Sequence, residues 1–214
     1  MTTSLPSTIA GRVEHELVVK KSRFIATLEP VHTVAAADAA IAAVRRQHWA
    51  ARHHCVALVV GRHAEQQRSS DDGEPSGTAG VPMLEVLRQR GLTDLVAVVT
   101  RYFGGVLLGA GGLVRAYSSA VSGALDGARI VRREVLVEVG IRVPHGDAGR
   151  FESWLRDWAA GHDAVLGEPV WTDVARFTIL VPPAALTLLT ADTAAFSAGT
   201  LAPVAGAERI VDLA

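Results

Sequence analysis

The residues that could do chemistry are concentrated in residues 69–115, where two loops each follow an apolar segment and precede a helical pattern. The first, the acidic loop (residues 71–74), carries the carboxylates of Asp71, Asp72 and Glu74. The second, the glycine loop (residues 104–112), has glycine at Gly104, Gly105, Gly109, Gly111 and Gly112. No other stretch combines so much backbone freedom with so much charge.

The glycine loop has the properties of an anion-binding site. Glycine lets backbone N–H groups approach a ligand without interference from a Cβ atom. A helix that begins directly after such a loop presents unpaired N–H groups and the positive end of its dipole. Arg101 and Arg115 flank the loop and add two cations. The spacing matches neither a P-loop nor a dinucleotide fingerprint. We therefore expect a phosphate-type anion, unless the loop is only a tight turn and Arg101 forms a structural ion pair.

The acidic loop has two interpretations. Asp71 and Asp72 could hold Mg²⁺, and the protein would then be a metal-assisted enzyme acting on a phosphorylated small molecule or nucleotide. Alternatively, the sequence Asp-Asp-Gly-Glu-Pro is strong turn chemistry, and its carboxylates could pair with Arg101 or Arg115 to lock the two loops together. The second interpretation is simpler, so we expect neither a metal nor a cofactor.

Several other residues are candidates for the anion surface. Lys20, Lys21 and Arg23 could contact phosphate or protect an edge strand from aggregation. Tyr102 and Phe103 could stack on nucleotide bases, although core packing is the more usual role of one aromatic pair.

His53 and Cys55 share one face of a predicted strand, and His54 points to the other face. Neighbours two apart on a strand lie side by side, which does not favour a Cys–His nucleophile. No second Cys/His cluster could complete a zinc site. We expect a buried cysteine beside a polar histidine, with His53 lining the loop surface.

The composition of the 214 residues, 49% hydrophobic and 20% charged, indicates a folded protein of one or two domains. A single cysteine fits a reducing compartment, and the sequence has neither an 18-residue apolar run nor a signal-peptide pattern. We therefore expect a cytoplasmic protein without a membrane span. Residues 1–131 carry 14 Lys/Arg against 11 Asp/Glu, a net charge of +3, whereas residues 132–214 carry 7 against 11, or −4. This asymmetry permits an anionic partner for the first part.

The hydrophobic pattern predicts an α+β fold in two domains, residues 1–131 and 132–214. After frayed residues 1–10, the first domain is predicted to contain strands at 12–19 and 24–28, a helix at 34–47, a strand at 53–60, a polar loop at 61–77, a helix ending near 89, a strand at 95–100 and a helix at 113–130. The second reads strand 135–143, helix 146–160, strands 164–171 and 174–181, helix 183–197 and strand 201–210. This β-α-β-β-α-β order is typical of a ferredoxin-like domain.

Four strings resemble the IMPACT family in its bacterial, YigZ-like form. They are KKSRFI (residues 20–25), ARHHCVA (51–57), SDDGEPSGTAGVPML (70–84) and VVTRYFGGVLLGAGGLVRAY (98–117). The resemblance implies a ribosomal-protein-type βαβ fold with a left-handed crossover in the first domain. It also implies the ferredoxin-like module that bacterial members append.

The resemblance implies association with nucleic acid or the ribosome. Eukaryotic relatives act in translational control, but this sequence lacks their N-terminal interaction domain, so we do not expect their protein partner. Our first hypothesis is a cytoplasmic binding protein that associates with RNA or the ribosome and modulates translation. The metal-assisted enzyme is the alternative, and a third hypothesis places function in a protein-binding face. The expected anion surface consists of Lys21, Arg23, His53, Arg101, Tyr102, Gly104, Gly105, Gly109, Gly111, Gly112 and Arg115.

Overall fold

The computed structural model describes residues 5–213, and the chain divides into two compact units. The first unit extends to Arg133 and includes Leu213, and the second comprises Glu134–Asp212. Both units combine helices with β-sheet, which confirms the predicted α+β class. No helix among the described residues is long and apolar enough to cross a membrane.

The first unit is built on a five-stranded antiparallel sheet. Its elements are β1 (Thr8–Ile9), β2 (Val13–Val19), β3 (Ser22–Pro30), α1 (Val34–Gln47), β4 (His53–Val60), β5 (Gln66–Ser70), α2 (Gly80–Gln89), β6 (Leu95–Tyr102), α3 (Ala110–Asp126) and the start of β7 (Ile130–Val143). The strand order is β2-β3-β6-β4-β5. Since β3 and β4 are both antiparallel to β6, which lies between them, they run parallel to each other and α1 connects them.

Helices cover both faces of this sheet. On one face α2 and α3 pack on a core that includes Phe24 and Tyr117. On the other face α1 packs on a second core that includes Val44 and Val98. Alternate side chains of a strand point to opposite faces, so the central strands β4 and β6 are buried on both sides. Their uninterrupted apolar runs predicted this burial.

Three elements of the first unit differ most from the sequence prediction. Residues 66–70, expected to lie in a polar loop, form the edge strand β5, whose polar side chains carry no apolar alternation. Thr8–Ile9, expected to be frayed, pairs with the start of β7, and residues 1–4 lie outside the described residues. Helix α3 begins at Ala110 and ends at Asp126, because the chain beyond it turns into β7.

The second unit consists of the rest of β7, α4 (His145–Gly161), β8 (Val165–Leu166), β9 (Val170–Trp171), β10 (Ala175–Val181), a 3₁₀ turn (Pro183–Ala185), α5 (Leu186–Phe196) and β11 (Val204–Leu213). Strand β10 pairs antiparallel with β7, β8 and β9, and β11 pairs with β7. The single strand predicted over residues 164–171 is two short strands. Pro169 lies between them and has no N–H to donate to a sheet.

The β2–β3 hairpin turns on two lysines in an unusual conformation. Val19 pairs with Ser22, so the loop consists of Lys20 and Lys21 alone. Their φ angles are +46° and +67°. Such a two-residue turn favours Asn-Gly because both positions need positive φ. The turn therefore holds two cations at a cost in stability.

Replacing Lys21 by glycine should stabilise the protein. The left-handed conformation costs a non-glycine residue roughly 1–2 kcal/mol. Glycine removes this cost, but it loses more backbone entropy on folding, which offsets roughly 0.5–1 kcal/mol of the gain. We expect Lys21→Gly to raise the free energy of unfolding, measured in urea, by up to about 1 kcal/mol. Val18→Gly, on extended backbone in the same hairpin, is the control and should lower it. A loss of stability in both variants would contradict this account of the turn.

Candidate anion-binding site

The Arg101 guanidinium is buried against Glu74. Its Nη1 donates to Glu74 Oε1 at 2.6 Å, and the Tyr117 hydroxyl donates to the same oxygen at 2.7 Å. The side chains of Arg101 and Glu74 are only 7% and 4% exposed. The guanidinium also lies 5.3 Å from the Phe24 ring centroid and 5.6 Å from that of Phe103. Arg101 is therefore unavailable to a ligand, which corrects its expected place in the anion surface.

Asp71 caps the N-terminus of α2. Its Oδ2 accepts from the backbone N–H of Gly77 at 2.7 Å, and its Oδ1 accepts from Ala79 at 3.0 Å and Gly80 at 2.8 Å. Burial acts to raise the pKa of the Asp71 carboxyl, but these three hydrogen bonds together lower it. A carboxylate at a helix N-terminus also interacts favourably with the helix dipole. Asp71 thus fixes where the acidic loop passes into α2.

Asp72 joins the acidic loop to the start of β4. Its Oδ2 accepts from the backbone N–H of His54 at 2.7 Å, and its Oδ1 accepts from Arg45 at 2.9 Å. Each carboxylate oxygen of Asp71 and Asp72 thus accepts a hydrogen bond from a protein donor. Among residues 5–213, no group of three His, Cys, Asp or Glu side chains could hold a metal ion. The geometry therefore supports the lock between the loops rather than the magnesium hypothesis, and Glu74 is the acidic-loop residue that pairs with Arg101.

His53 and Cys55 belong to the same locked region. The Nδ1 of His53 lies 2.9 Å from the carbonyl oxygen of Asp72. The Cys55 thiol is fully buried and donates to the carbonyl oxygen of Asp71 at 3.0 Å. Burial raises its pKa to about 12, so the thiol is not an activated nucleophile. His53 therefore lines the acidic loop and not the glycine loop.

Arg23 and Tyr102 lie on the α1 face of the sheet. Arg23 alternates with Phe24, whose side chain faces α2 and α3. Its guanidinium makes two hydrogen bonds to Glu16, at 2.7 and 2.9 Å, and lies 5.4 Å from the Tyr102 ring centroid. The Tyr102 hydroxyl is 3.1 Å from His48 Nδ1. The structure therefore does not bring Arg23 or Tyr102 to the face that carries α3.

Three of the five loop glycines are required by the backbone itself. A Cβ atom on Gly104 would lie 2.1 Å from the carbonyl carbon of Lys21, and the Gly104 N–H donates to Ser22 Oγ at 3.1 Å. Gly105 and Gly109 have φ angles of +84° and +70°. The glycine loop is therefore packed against the β2–β3 turn and enters α3 through a conformation that favours glycine.

The first turn of α3 leaves its backbone donors open. The first helical hydrogen bond runs from Leu113 N to Gly109 O at 2.9 Å, and no side chain caps the helix. The amides of Ala110, Gly111 and Gly112 find no acceptor among the described residues. Such amides attract anions. This part of the predicted anion site is therefore available to a ligand.

A cavity of about 240 Å³, here called the cationic cavity, opens between the β2–β3 turn and α3. Its apolar wall comprises Leu17, Val19, Leu108 and Ala116, and Gly112 and Ser119 complete it on α3. Lys20 and Arg115 supply its two cations. Both are exposed, and neither forms an ion pair within residues 5–213. The sequence marked Lys20 and Arg115 but not Leu17 or Ser119, because only the packing of β2 on α3 brings these positions together.

This geometry defines a class of two-unit α+β protein. In its first unit the Arg101–Glu74 ion pair holds the acidic loop, and the first backbone amides of α3 have no acceptor among the described residues. The model of the Impact N-terminal domain matches residues 20–125, which contain both loops. The IMPACT family member YvyE of Bacillus subtilis (strain 168) is 48% identical over 150 residues, which are 70% of this chain and 69% of the relative. This chain therefore belongs to the IMPACT family.

Two further comparisons extend over most of the chain. The IMPACT family member YigZ of Escherichia coli (strain K12) is 40% identical over 188 residues, 86% of this chain and 89% of the relative. A solved structure described as "Crystal structure of an hypothetical protein" is 36% identical, with a TM-score of 0.61. The match covers 97% of this chain and 100% of that one. The similarity thus includes both units.

The same substitution at Arg101 and at Arg115 distinguishes the buried ion pair from the exposed cation of the cationic cavity. Arg101→Met leaves Glu74 as a buried, unpaired charge and should destabilise the protein by about 3–5 kcal/mol. Arg115→Met removes an exposed cation and should change stability by no more than about 0.5 kcal/mol. Urea unfolding measures both. Adding Glu74→Met to Arg101→Met should recover part of the loss, because no buried charge then remains unpaired. Small and equal effects at the two arginines would contradict the lock.

Proposed function

We propose that this protein binds RNA, free or on the ribosomal surface, through the cationic cavity and the N-terminus of α3, and that it modulates translation in the cytoplasm. One observation carries the proposal. An unpaired, exposed arginine and lysine lie beside backbone amides that no described residue uses. Phosphate groups are the anions that such donors suit. The net charge of +3 over residues 1–131 favours the same class of partner.

The proposed contacts divide between two elements. Arg115 on α3 and Lys20 in the β2–β3 turn act as cationic partners of phosphate, with Lys21 beside them in the same exposed turn. The amides of Gly111 and Gly112 donate to phosphate oxygens. Arg101 contributes indirectly, because its pairing with Glu74 holds the end of β6 from which the glycine loop departs. In this proposal Arg115, Lys20 and the first amides of α3 bind RNA, and the buried Arg101 positions the loop that leads to them.

We also propose the finer topologies that the resemblance implies. The crossover from β3 through α1 to β4 supports a ribosomal-protein-type βαβ arrangement in the first unit. In the second unit, the element order and the antiparallel pairing of β10 with β7 and β8 support a ferredoxin-like domain. Both are folds that proteins of the translation apparatus use, but fold alone does not define function. The proposal therefore depends on the site.

The alternative functions have less support from the geometry. A metal-assisted enzyme needs carboxylates that converge on one point, whereas Asp71 is directed at the amides that begin α2 and Asp72 at His54 and Arg45. A protein-binding face would not by itself explain why the first backbone amides of α3 have no acceptor among the described residues. We therefore treat a protein partner as an outcome of the test below.

The proposal predicts a salt-dependent RNA affinity that requires Arg115. The probe is a labelled RNA hairpin with an unpaired tail, and fluorescence anisotropy measures its affinity from about 50 to 200 mM salt. We expect binding to weaken steeply with salt, because phosphate contacts release counterions. Arg115→Gln should weaken binding about tenfold, roughly 1.4 kcal/mol, and reduce the slope of log Kd against log salt by about 1.

Arg46→Gln is the matched control. Arg46 is an exposed arginine at the end of α1, the helix on the opposite face of the sheet, and forms no ion pair with a described residue. Its loss changes the net charge equally and should leave the affinity nearly unchanged. Equal losses in the two variants would show a diffuse charge effect. Absence of RNA binding at low salt would refute the proposal and direct attention to a protein partner.

A further inference from the structure

We infer that the cationic cavity receives the base of an unpaired nucleotide while Arg115 and Lys20 hold the adjoining phosphate, so that the protein selects single-stranded or terminal RNA over duplex. The inference rests on the RNA binding proposed above and adds the form of RNA that is bound. It starts from the apolar part of the cavity, which phosphate binding leaves unexplained.

The cavity wall is more apolar than a phosphate site requires. Leu17 and Val19 on β2, Leu108 in the glycine loop and Ala116 on α3 all line the cavity. Leu17, Val19 and Leu108 retain partial exposure although they pack against the core of the first unit. A bare phosphate gains nothing from such surface, whereas the planar face of a base removes it from water. Apolar walls are among the surfaces that hold extruded bases in other proteins.

The volume also limits what can enter. About 240 Å³ is less than the roughly 300–1,000 Å³ of the pockets that hold drug-sized ligands. A cavity of this size suits one ring system, with its sugar and phosphate left at the opening.

The polar lining suits a base and its phosphate together. Ser119 is exposed on α3, and its hydroxyl makes no hydrogen bond with a described residue, so it can donate to or accept from a base edge. Gly112 presents no side chain, and a Cβ there would come within 3.0 Å of Leu108 Cβ. Arg115 and Lys20 supply positive charge in the same cavity.

Base pairing determines which RNA can use this cavity. In a duplex the bases are stacked, and placing one in a pocket requires unpairing and unstacking at a cost of a few kcal/mol. An unpaired nucleotide avoids most of that cost. Duplex RNA can still contact Arg115 and Lys20 through its phosphates, but it leaves the apolar wall empty. The expected consequence is a preference for unpaired RNA at equal salt.

Filling the cavity without changing its charge tests the inference. Ser119→Phe places an aromatic ring on the cavity wall, and Val114→Phe, at an exposed position of α3 outside the cavity, is the matched control. Anisotropy compares an unpaired oligonucleotide with a blunt duplex of the same length and salt. We expect the wild-type protein and Val114→Phe to bind the unpaired form at least about tenfold more tightly, about 1.4 kcal/mol. Ser119→Phe should lose this preference and keep its duplex affinity.

The outcomes distinguish this inference from the function on which it rests. If neither RNA form binds, the proposed function fails and the inference fails with it. If both forms bind equally, or if Ser119→Phe keeps the preference, RNA binding stands and the base pocket is refuted. A free nucleoside monophosphate, used as competitor, should bind more weakly than the oligonucleotide. Equal affinity would overturn the assignment to RNA in favour of a free nucleotide. Circular dichroism of both variants is the control for correct folding.

Discussion

The hydrogen-bonded ion pair between Glu74 and Arg101 is the interaction on which the first unit depends. It joins the acidic loop to the end of β6, and the Tyr117 hydroxyl extends it to α3. Removing both charges from water is expensive, so such a pair adds little net stability by itself. Its effect is to allow one arrangement of the two loops, because any other leaves a charge buried without a partner. We therefore regard it as a positioning interaction.

The lock has a direct consequence for the open site. By fixing the end of β6, it fixes where the glycine loop starts, and Gly104 then packs on the backbone of the β2–β3 turn. The loop enters α3 with three amides unused by the described residues. The same packing places Lys20 and Arg115 in one cavity. Buried and open charges thus have separate roles: the acidic loop is satisfied internally, and the helix N-terminus is left for a ligand.

Much of the fold follows from the sequence, because long apolar runs such as those of β4 and β6 and the helical pattern of α1 are strong signals. The polar edge strand β5 has no apolar alternation, so its pairing with β4 is visible only in three dimensions. Local patterns also indicated the turn at the acidic loop, but the last three residues of the predicted glycine loop belong to α3. These patterns could not decide which carboxylate pairs with Arg101, since that depends on the register between distant segments. The cavity wall could not be predicted from the sequence for the same reason, because Leu17 and Ser119 belong to elements far apart in the chain.

The most direct test of the account is the response of the α3 amides to RNA. Backbone amide chemical shifts of the full chain would be followed by NMR during titration with a short unpaired RNA. The account predicts that Gly111, Gly112 and Arg115 shift saturably and by the largest amounts, while Glu74 and its neighbours in the lock change little. Largest shifts around Arg23 and Tyr102 on the opposite face, with Gly111 and Gly112 unmoved, would contradict it.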